Sequence, residues 1–267
     1  MAVIRIDHPD DPRIAGFRDI RERDLTGRQG LFVAEGEVVL NVLTSPQSLC
    51  RPVALLLDQK RVEGLAGVIA RLDPDTPVHV ADQPILDAIA GFHLHRGILA
   101  LGRKPGPATL EALLAPLGPD AVVVVACGIG NHDNMGGLFR NAAAFGAAAM
   151  LLDQTCCDPF YRKAIRVSVG AVLRTPMVVG LEALEMIDGL QQTGFTVIAL
   201  TPGAETPLER MPRGGRVALI LGPEGPGLSP DVIARCRPVG IPMSGGFDSL
   251  NVSVASGIAL HHFTRQG

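Results

Sequence analysis

ALILGPEGPGLSPDVIARCRPVGIPMSGGFDSLNVSVASGIALHHF, running from Ala218 to Phe263, is the stretch on which the reading of this chain turns. Two short apolar runs, Val217–Leu221 and Val239–Pro242, predict buried strands. Each leads into a loop rich in Gly, Pro and Ser. The second loop opens a segment with apolar residues at Val252, Ala255, Ala259, Leu260 and Phe263, the spacing of one helix face. In α/β folds, ligands sit in the crevice outside the carboxyl ends of the strands. These two loops carry Glu224, Ser249 and Asn251, so a binding crevice is the first expectation.

Working upstream, Ala121–Cys127 (AVVVVAC) is a β-branched run of the kind that parallel central strands show when both faces are buried. It is followed by GIGNHDNMGGLFRNAAAFGA, with a helix expected over Met135–Phe145 and a strand over Ala148–Leu152. Helices are expected over Asp158–Leu173 and Leu181–Gln192, and a strand over Phe195–Leu200. Nearer the start, Asp11-Pro12 opens a helix expected to run to about Leu25. Strand and helix patterns then alternate from Leu31 to Leu101, which predicts a small α/β unit. The Gly, Pro and basic content of residues 102–109 (GRKPGPAT) marks a linker. The expected organisation is a first domain over 1–101, the linker over 102–109, and a second domain over 110–267.

Composition narrows the function classes. A chain of 267 residues with 47% hydrophobic content has room for two cores, and a net charge of −3 rules out a globally basic protein. A polyanionic partner would therefore need a local patch. The strongest candidate is Arg162, Lys163 and Arg166, with Arg174 nearby and no acid between Phe160 and Gly180. A solvated helix face explains those residues equally well. The first eleven residues hold Arg5, Asp7, Asp10 and Asp11 in place of an apolar signal core, and no run approaches a membrane span, so a cytoplasmic location is expected. The five cysteines include no C-x-x-C pair, and His132, His261 and His262 lack ligand spacing, so no metal site is expected.

Three polar clusters stand out against their plain explanations. GIGNHDNMGG follows a strand and opens a helix like a dinucleotide-binding loop, with Asp153 available as the ribose acid, but Asp133 stands at the third glycine position and would repel a pyrophosphate. A nicotinamide-dependent oxidoreductase is accordingly the alternative reading. Asn134 alone reads as a helix cap and Arg140 as a surface ion-pair residue. Yet Gly136 and Gly137 between them cost a helix about 1 kcal/mol each, which points to a close approach by a ligand or another backbone. Glu224 among glycines has no packing role. Capping accounts for one or two of Ser244, Asp248, Ser249, Asn251 and Ser253, but not for all of them.

Together, NMGGLFRNAAAFG from Asn134, LGPEGPGLS from Leu221 and IPMSGGFDSLNVSVA from Ile241 resemble the three ordered motifs of SpoU-type (TrmH-like) RNA 2′-O-ribose methyltransferases of the SPOUT class. FVAEGEVVL, from Phe32, is similar to the ribosomal-protein-like substrate-binding domain that many members carry. The resemblance implies a C-terminal parallel sheet threaded into a trefoil knot, behind a small N-terminal α/β domain that binds RNA. It implies a homodimer using S-adenosylmethionine to methylate structured RNA, ribosomal ahead of transfer RNA. By position it assigns Asn134, Arg140, Glu224, Ser249 and Asn251 to catalysis, and Leu200, Thr201, Gly222, Ile241 and Leu250 to the cofactor. Phe247 and Asp248 depart from the commoner form of the third motif. A noncatalytic RNA-binding protein on the same fold is the remaining alternative.

Overall fold

The computed structural model describes every residue except 1–2, 19–26, 28, 91–93, 95, 246–247 and 265–267. The chain forms two compact units, Met1–Pro105 with Phe160–Arg174, and Gly106–Pro159 with Thr175–Gly267. In chain order the elements begin with β1 (Val3–Arg5), β2 (Leu31–Glu35), α1 (Glu37–Leu43), β3 (Arg51–Asp58), α2 (Ala66–Ile69), β4 (Val78–Ala81), α3 (Gln83–Ala90) and β5 (Ile98–Arg103). They continue with α4 (Leu110–Leu114), β6 (Val122–Ala126), α5 (His132–Phe145), β7 (Ala149–Asp153), α6 (Arg162–Val167), β8 (Met177–Leu181) and α7 (Ala183–Gln192). The last are β9 (Thr196–Leu200), β10 (Val217–Leu221), α8 (Pro230–Ala234), β11 (Arg237–Val239) and α9 (Val252–Thr264).

The first unit is built on a mixed five-stranded sheet in the order β1-β4-β3-β5-β2. Its core gathers Ile6, Ile14, Leu56, Leu86, Leu94 and Leu99, all buried. Two expectations are corrected here. The strand does not end at Leu101: Gly102 pairs with Phe32 and with Pro52, and Arg103 with Leu31 and Arg51. A Cβ on Gly102 would lie 2.3 Å from the Phe32 ring, so this glycine is a packing site within the sheet and not the start of a linker. Residues 160–174, expected in the second domain, belong to the first unit. The Phe160 ring lies 5.3 Å from that of Phe32 and under the Lys104 ammonium at 4.9 Å.

Local helix predictions were too long in two places. The helix begun at Asp11-Pro12 is a 3-10 helix over Pro12–Phe17, with Arg18 extended; the rest of the expected span, 19–25, lies outside the described residues. The helix expected over Asp158–Leu173 is α6 followed by a 3-10 turn at Ala171–Leu173. Val169 at φ 48° and Gly170 at φ 82° break it, because two successive positive φ values cannot continue a right-handed helix.

The second unit is a six-stranded, all-parallel sheet in the order β11-β9-β10-β6-β7-β8. Strands β6, β7 and β10 are buried at every residue, as their unbroken apolar runs require. The edges were harder to read. No strand is expected over β8, and its last residue, Leu181, opens the expected helix, since two of the five residues are exposed and Gly180 interrupts the strand at φ 93°. Strand β11 lies two residues earlier than expected, and Pro238 within it is tolerated because the strand is at an edge. Helices α5 and α9 pack closely: a Cβ on Gly137 would sit 2.5 Å from Ser253 Cβ, so the glycine that weakens α5 is the point where α9 crosses it.

Candidate active site

Strands β9, β10 and β11 are adjacent and parallel, so their carboxyl ends open on the same side of the sheet. The segments that follow them enclose a cleft of about 560 Å³. Leu200 and Thr201 come from the end of β9, Gly222 and Glu224 from the loop after β10, and Ile241, Ser249, Leu250 and Asn251 from the segment between β11 and α9. All five residues assigned by resemblance to a cofactor therefore line one cavity, together with three of the five assigned to catalysis.

Tight backbone packing shapes this cleft. A Cβ on Gly222 would meet the Leu228 nitrogen at 2.7 Å and the Gly227 carbonyl carbon at 2.8 Å, so the loop can fold back on itself only with glycine there. The loop ends at Ser229, which caps α8 by accepting from the Val232 N–H. Apart from Glu224, the lining residues are apolar or neutral, with no Lys, Arg or His among the described ones. The volume is that of a small-molecule site. Its charge suits a neutral or cationic ligand held through backbone groups. S-adenosylmethionine, a sulfonium with an adenosine and an amino-acid end, fits that chemistry; a pyrophosphate does not.

At the mouth, a hydrogen-bonded hub forms around Asn251. Its Nδ2 donates to Asn134 Oδ1 at 2.9 Å and to Glu224 Oε1 at 2.9 Å. Its Oδ1 accepts from the Ser253 N–H at 2.9 Å, the Ser253 hydroxyl at 2.7 Å and the Val254 N–H at 3.3 Å, which caps α9. Asn134 is not a cap. Asn131 caps α5, accepting from the Asp133 N–H, and Asn134 lies one turn further in, 6% exposed. Ser249 lines the cleft and donates to Asp248 at 3.3 Å; Phe247 lies outside the described residues.

Arg140 is not brought to this hub. It is exposed, it does not line the cleft among the described residues, and its side chain makes no hydrogen bond or ion pair with another described residue. At about 100° per residue it stands roughly 120° around α5 from Asn134. Arg162 and Arg166 belong to the first unit. Their nitrogens lie 3.9 Å and 4.0 Å from the Glu35 carboxylate, so the tertiary fold supplies an acid that the local sequence lacks. Lys163 sits between them on α6.

The glycine loop after β6 is closed from within. The Asp153 carboxylate accepts from the Gly128 N–H at 3.1 Å, the Thr155 N–H at 3.0 Å and the Thr155 hydroxyl at 2.9 Å. Asp153 is only 9% exposed. An acid committed to its own loop cannot serve a ribose, and the loop amide it occupies cannot serve a pyrophosphate, so the nicotinamide reading fails. Cys156 joins the same closure: its thiol donates to the Ala126 carbonyl at 3.3 Å and accepts from the Ile129 N–H at 3.4 Å. Burial raises the Cys156 thiol and pushes the neighbouring Cys127 thiol up to about 12, so neither is a nucleophile at neutral pH.

Two residues of this arrangement lacked an assigned role in the sequence. Ser253 reads as one of several capping residues, and residue type alone gives Asn141 no role. Asn141 falls within the motif NMGGLFRNAAAFG and, seven residues from Asn134, lies within about 20° of the same helix face.

Known proteins resemble this chain over most of its length. Residues 121–261 match the SpoU rRNA Methylase family. An "Uncharacterized tRNA/rRNA methyltransferase" of Mycobacterium tuberculosis is 36% identical over 276 residues, covering 97% of this chain and 91% of that protein. Among solved structures, an RNA 2′-O ribose methyltransferase is 28% identical with a TM-score of 0.78, covering 98% of this chain and 97% of the other. The AdoMet-bound rRNA methyltransferase of Sinorhizobium meliloti shares the fold, with a TM-score of 0.83 at 21% identity and 97% coverage of both chains.

Proposed function

Because this chain belongs to the SpoU rRNA methylase family, we propose that it transfers a methyl group from S-adenosylmethionine to a ribose 2′-hydroxyl of ribosomal or transfer RNA. The observation that carries this reading is the Asn134–Asn251–Glu224 hub at the mouth of a cleft whose described lining residues include no cationic side chain. S-adenosylmethionine, when bound, supplies an electrophilic methyl group. The 2′-oxygen would bond to that methyl as the carbon–sulfur bond breaks and the thioether S-adenosylhomocysteine leaves, with the hydroxyl proton passing to solvent, and the chain's task is to hold the oxygen in line. Most of the acceleration then comes from positioning. Leu200, Thr201, Gly222, Ile241 and Leu250 hold the cofactor. Asn134, Ser249 and Asn251 shape the ribose side, and Glu224 fixes the Asn251 amide from the loop after β10.

Arg140 enters through a second copy of the chain. A guanidinium is a poor base at neutral pH, so its role is to align the hydroxyl and the adjacent phosphate. Support for a homodimer comes from α9, where Val254 and Ile258, one turn apart, are 51% and 41% exposed. An apolar pair this open on a helix face suits an isologous interface. The C-terminal segment, which adds β11 at the sheet edge and returns as α9 onto α5, is the part we assign to the trefoil knot. The first unit, with Arg162, Lys163 and Arg166, is assigned to RNA binding.

The test is transfer of labelled methyl from S-adenosylmethionine to ribosomal and transfer RNA, with the product bond checked for resistance to alkaline hydrolysis. Arg140→Ala is expected to keep cofactor affinity and lose transfer, and mixing it with a cofactor-site variant is expected to restore part of the activity. Methyl found on a base rather than a ribose would reject the reaction; full turnover by Arg140→Ala would remove that residue from it.

A further inference from the structure

We propose that Asn141 is a positioning residue for the site, acting through Ser253 to set the orientation of Asn251; this rests on the methyltransferase reading above. Asn141 Nδ2 donates to the Ser253 carbonyl at 2.5 Å and to the Ser256 hydroxyl at 2.9 Å. Ser256 is fully buried and itself donates to the Ser253 carbonyl at 2.7 Å. Ser253 in turn gives both its N–H and its hydroxyl to Asn251 Oδ1. With that oxygen held, the Asn251 amide can point only toward Asn134 and Glu224. Asn134 and Asn141, on one face of α5, thus grip the first turn of α9 at two points and close a ring through Asn251 and Ser253.

Two glycines make the grip possible. Gly137 lets Ser253 approach α5, and a Cβ on Gly257 would stand 3.3 Å from Asn141 Nδ2. The Asn251 amide needs this help because its segment is otherwise exposed at Asp248, Ser249, Leu250 and Asn251. A side chain held only by Asn134 and Glu224 could rotate about χ1 and χ2; held at its oxygen as well, it cannot do so without breaking the cap.

The experiment follows the Asn251 side-chain amide by NMR in the full-length protein, assigned by its disappearance in Asn251→Asp. In Asn141→Ala the amide protons are expected to shift and to exchange about tenfold faster, the effect of losing the two part-buried hydrogen bonds that Asn141 makes to Ser253 and Ser256. The kcat for methyl transfer is expected to fall by a similar factor, with KM for RNA and Kd for S-adenosylmethionine held within about twofold. Gly257→Ala, which pushes on Asn141 without removing a polar group, is expected to move the same signals less; it also serves if Asn141→Ala does not fold. Unchanged Asn251 signals in the folded variants would overturn the proposal, as would a fall in kcat matched by an equal loss of cofactor affinity. If the methyltransferase reading itself were wrong, the unaltered protein would transfer no methyl, while the NMR comparison would still decide whether Asn141 orients Asn251.

Discussion

Strands β6 and β10 lie side by side and in register, and each ends in a loop rich in glycine. The loop after β6, Gly128-Ile129-Gly130, is bound to its own fold: Asp153 takes the Gly128 N–H, and Cys156 takes that of Ile129. The loop after β10, Gly222–Gly227, folds back on its own backbone and leaves Glu224 at the edge of a cleft. The two touch, since a Cβ on Gly128 would lie 3.2 Å from Pro223. Glycine content reports a turn and says nothing of a ligand. What separates these loops is where the nearest carboxylate goes. Asp153 turns inward onto loop amides, whereas Glu224 turns toward a side-chain amide from another element.

The contrast can be broken at four positions. The largest effect is expected from Asn251→Ala, which removes the group linking the open loop to α5 and α9. Methyl transfer is expected to fall about a hundredfold, as misplacement near reacting atoms does, and loss of the cap is expected to cost about 1 kcal/mol in urea unfolding. Asp153→Asn attacks the closed loop instead. It leaves an amide facing the Gly128 and Thr155 donors, so stability is expected to fall by about 2 kcal/mol, while the folded fraction keeps its Kd for S-adenosylmethionine in calorimetry. If that variant bound NAD, the closed loop would after all be a masked dinucleotide site.

Gly222→Ala is next. Its new methyl would meet backbone atoms, which have no way to rotate aside, so cofactor affinity is expected to weaken about tenfold by overpacking. Gly130→Ala is the control. No atom lies within 4 Å of the Cβ position there, and the expected change in stability and cofactor affinity is within about 0.5 kcal/mol. A loss at Gly130 equal to that at Gly222 would mean that the two loops share one ligand.

Much of the second unit was legible because its signals are local. The β-branched run of β6 and the apolar run of β10 needed only the rule that buried parallel strands read as unbroken hydrophobic segments. Glu224, Ser249 and Asn251 stood out because no turn or cap required all of them. Legibility failed where a partner remote in sequence decides the outcome. Gly102 reads as linker until Phe32 is placed over it. Arg162 and Arg166 read as an acid-free strip until Glu35 arrives from more than a hundred residues away. Asp153 read as a possible ribose ligand because its bond to Gly128 spans 25 residues and leaves no periodic trace.

The amino-acid order by itself determined the parallel core, the loops that close its carboxyl end and the polar residues set into them, since burial pattern and backbone preference act over a few neighbours. Only the tertiary structure decided which of those polar groups meet. Hydrogen bonds are short and directional, so whether Asn251 reaches Asn134 and Glu224, and whether Arg140 faces away, depends on how α9 crosses α5 at Gly137 and on where the loop after β10 falls beside them.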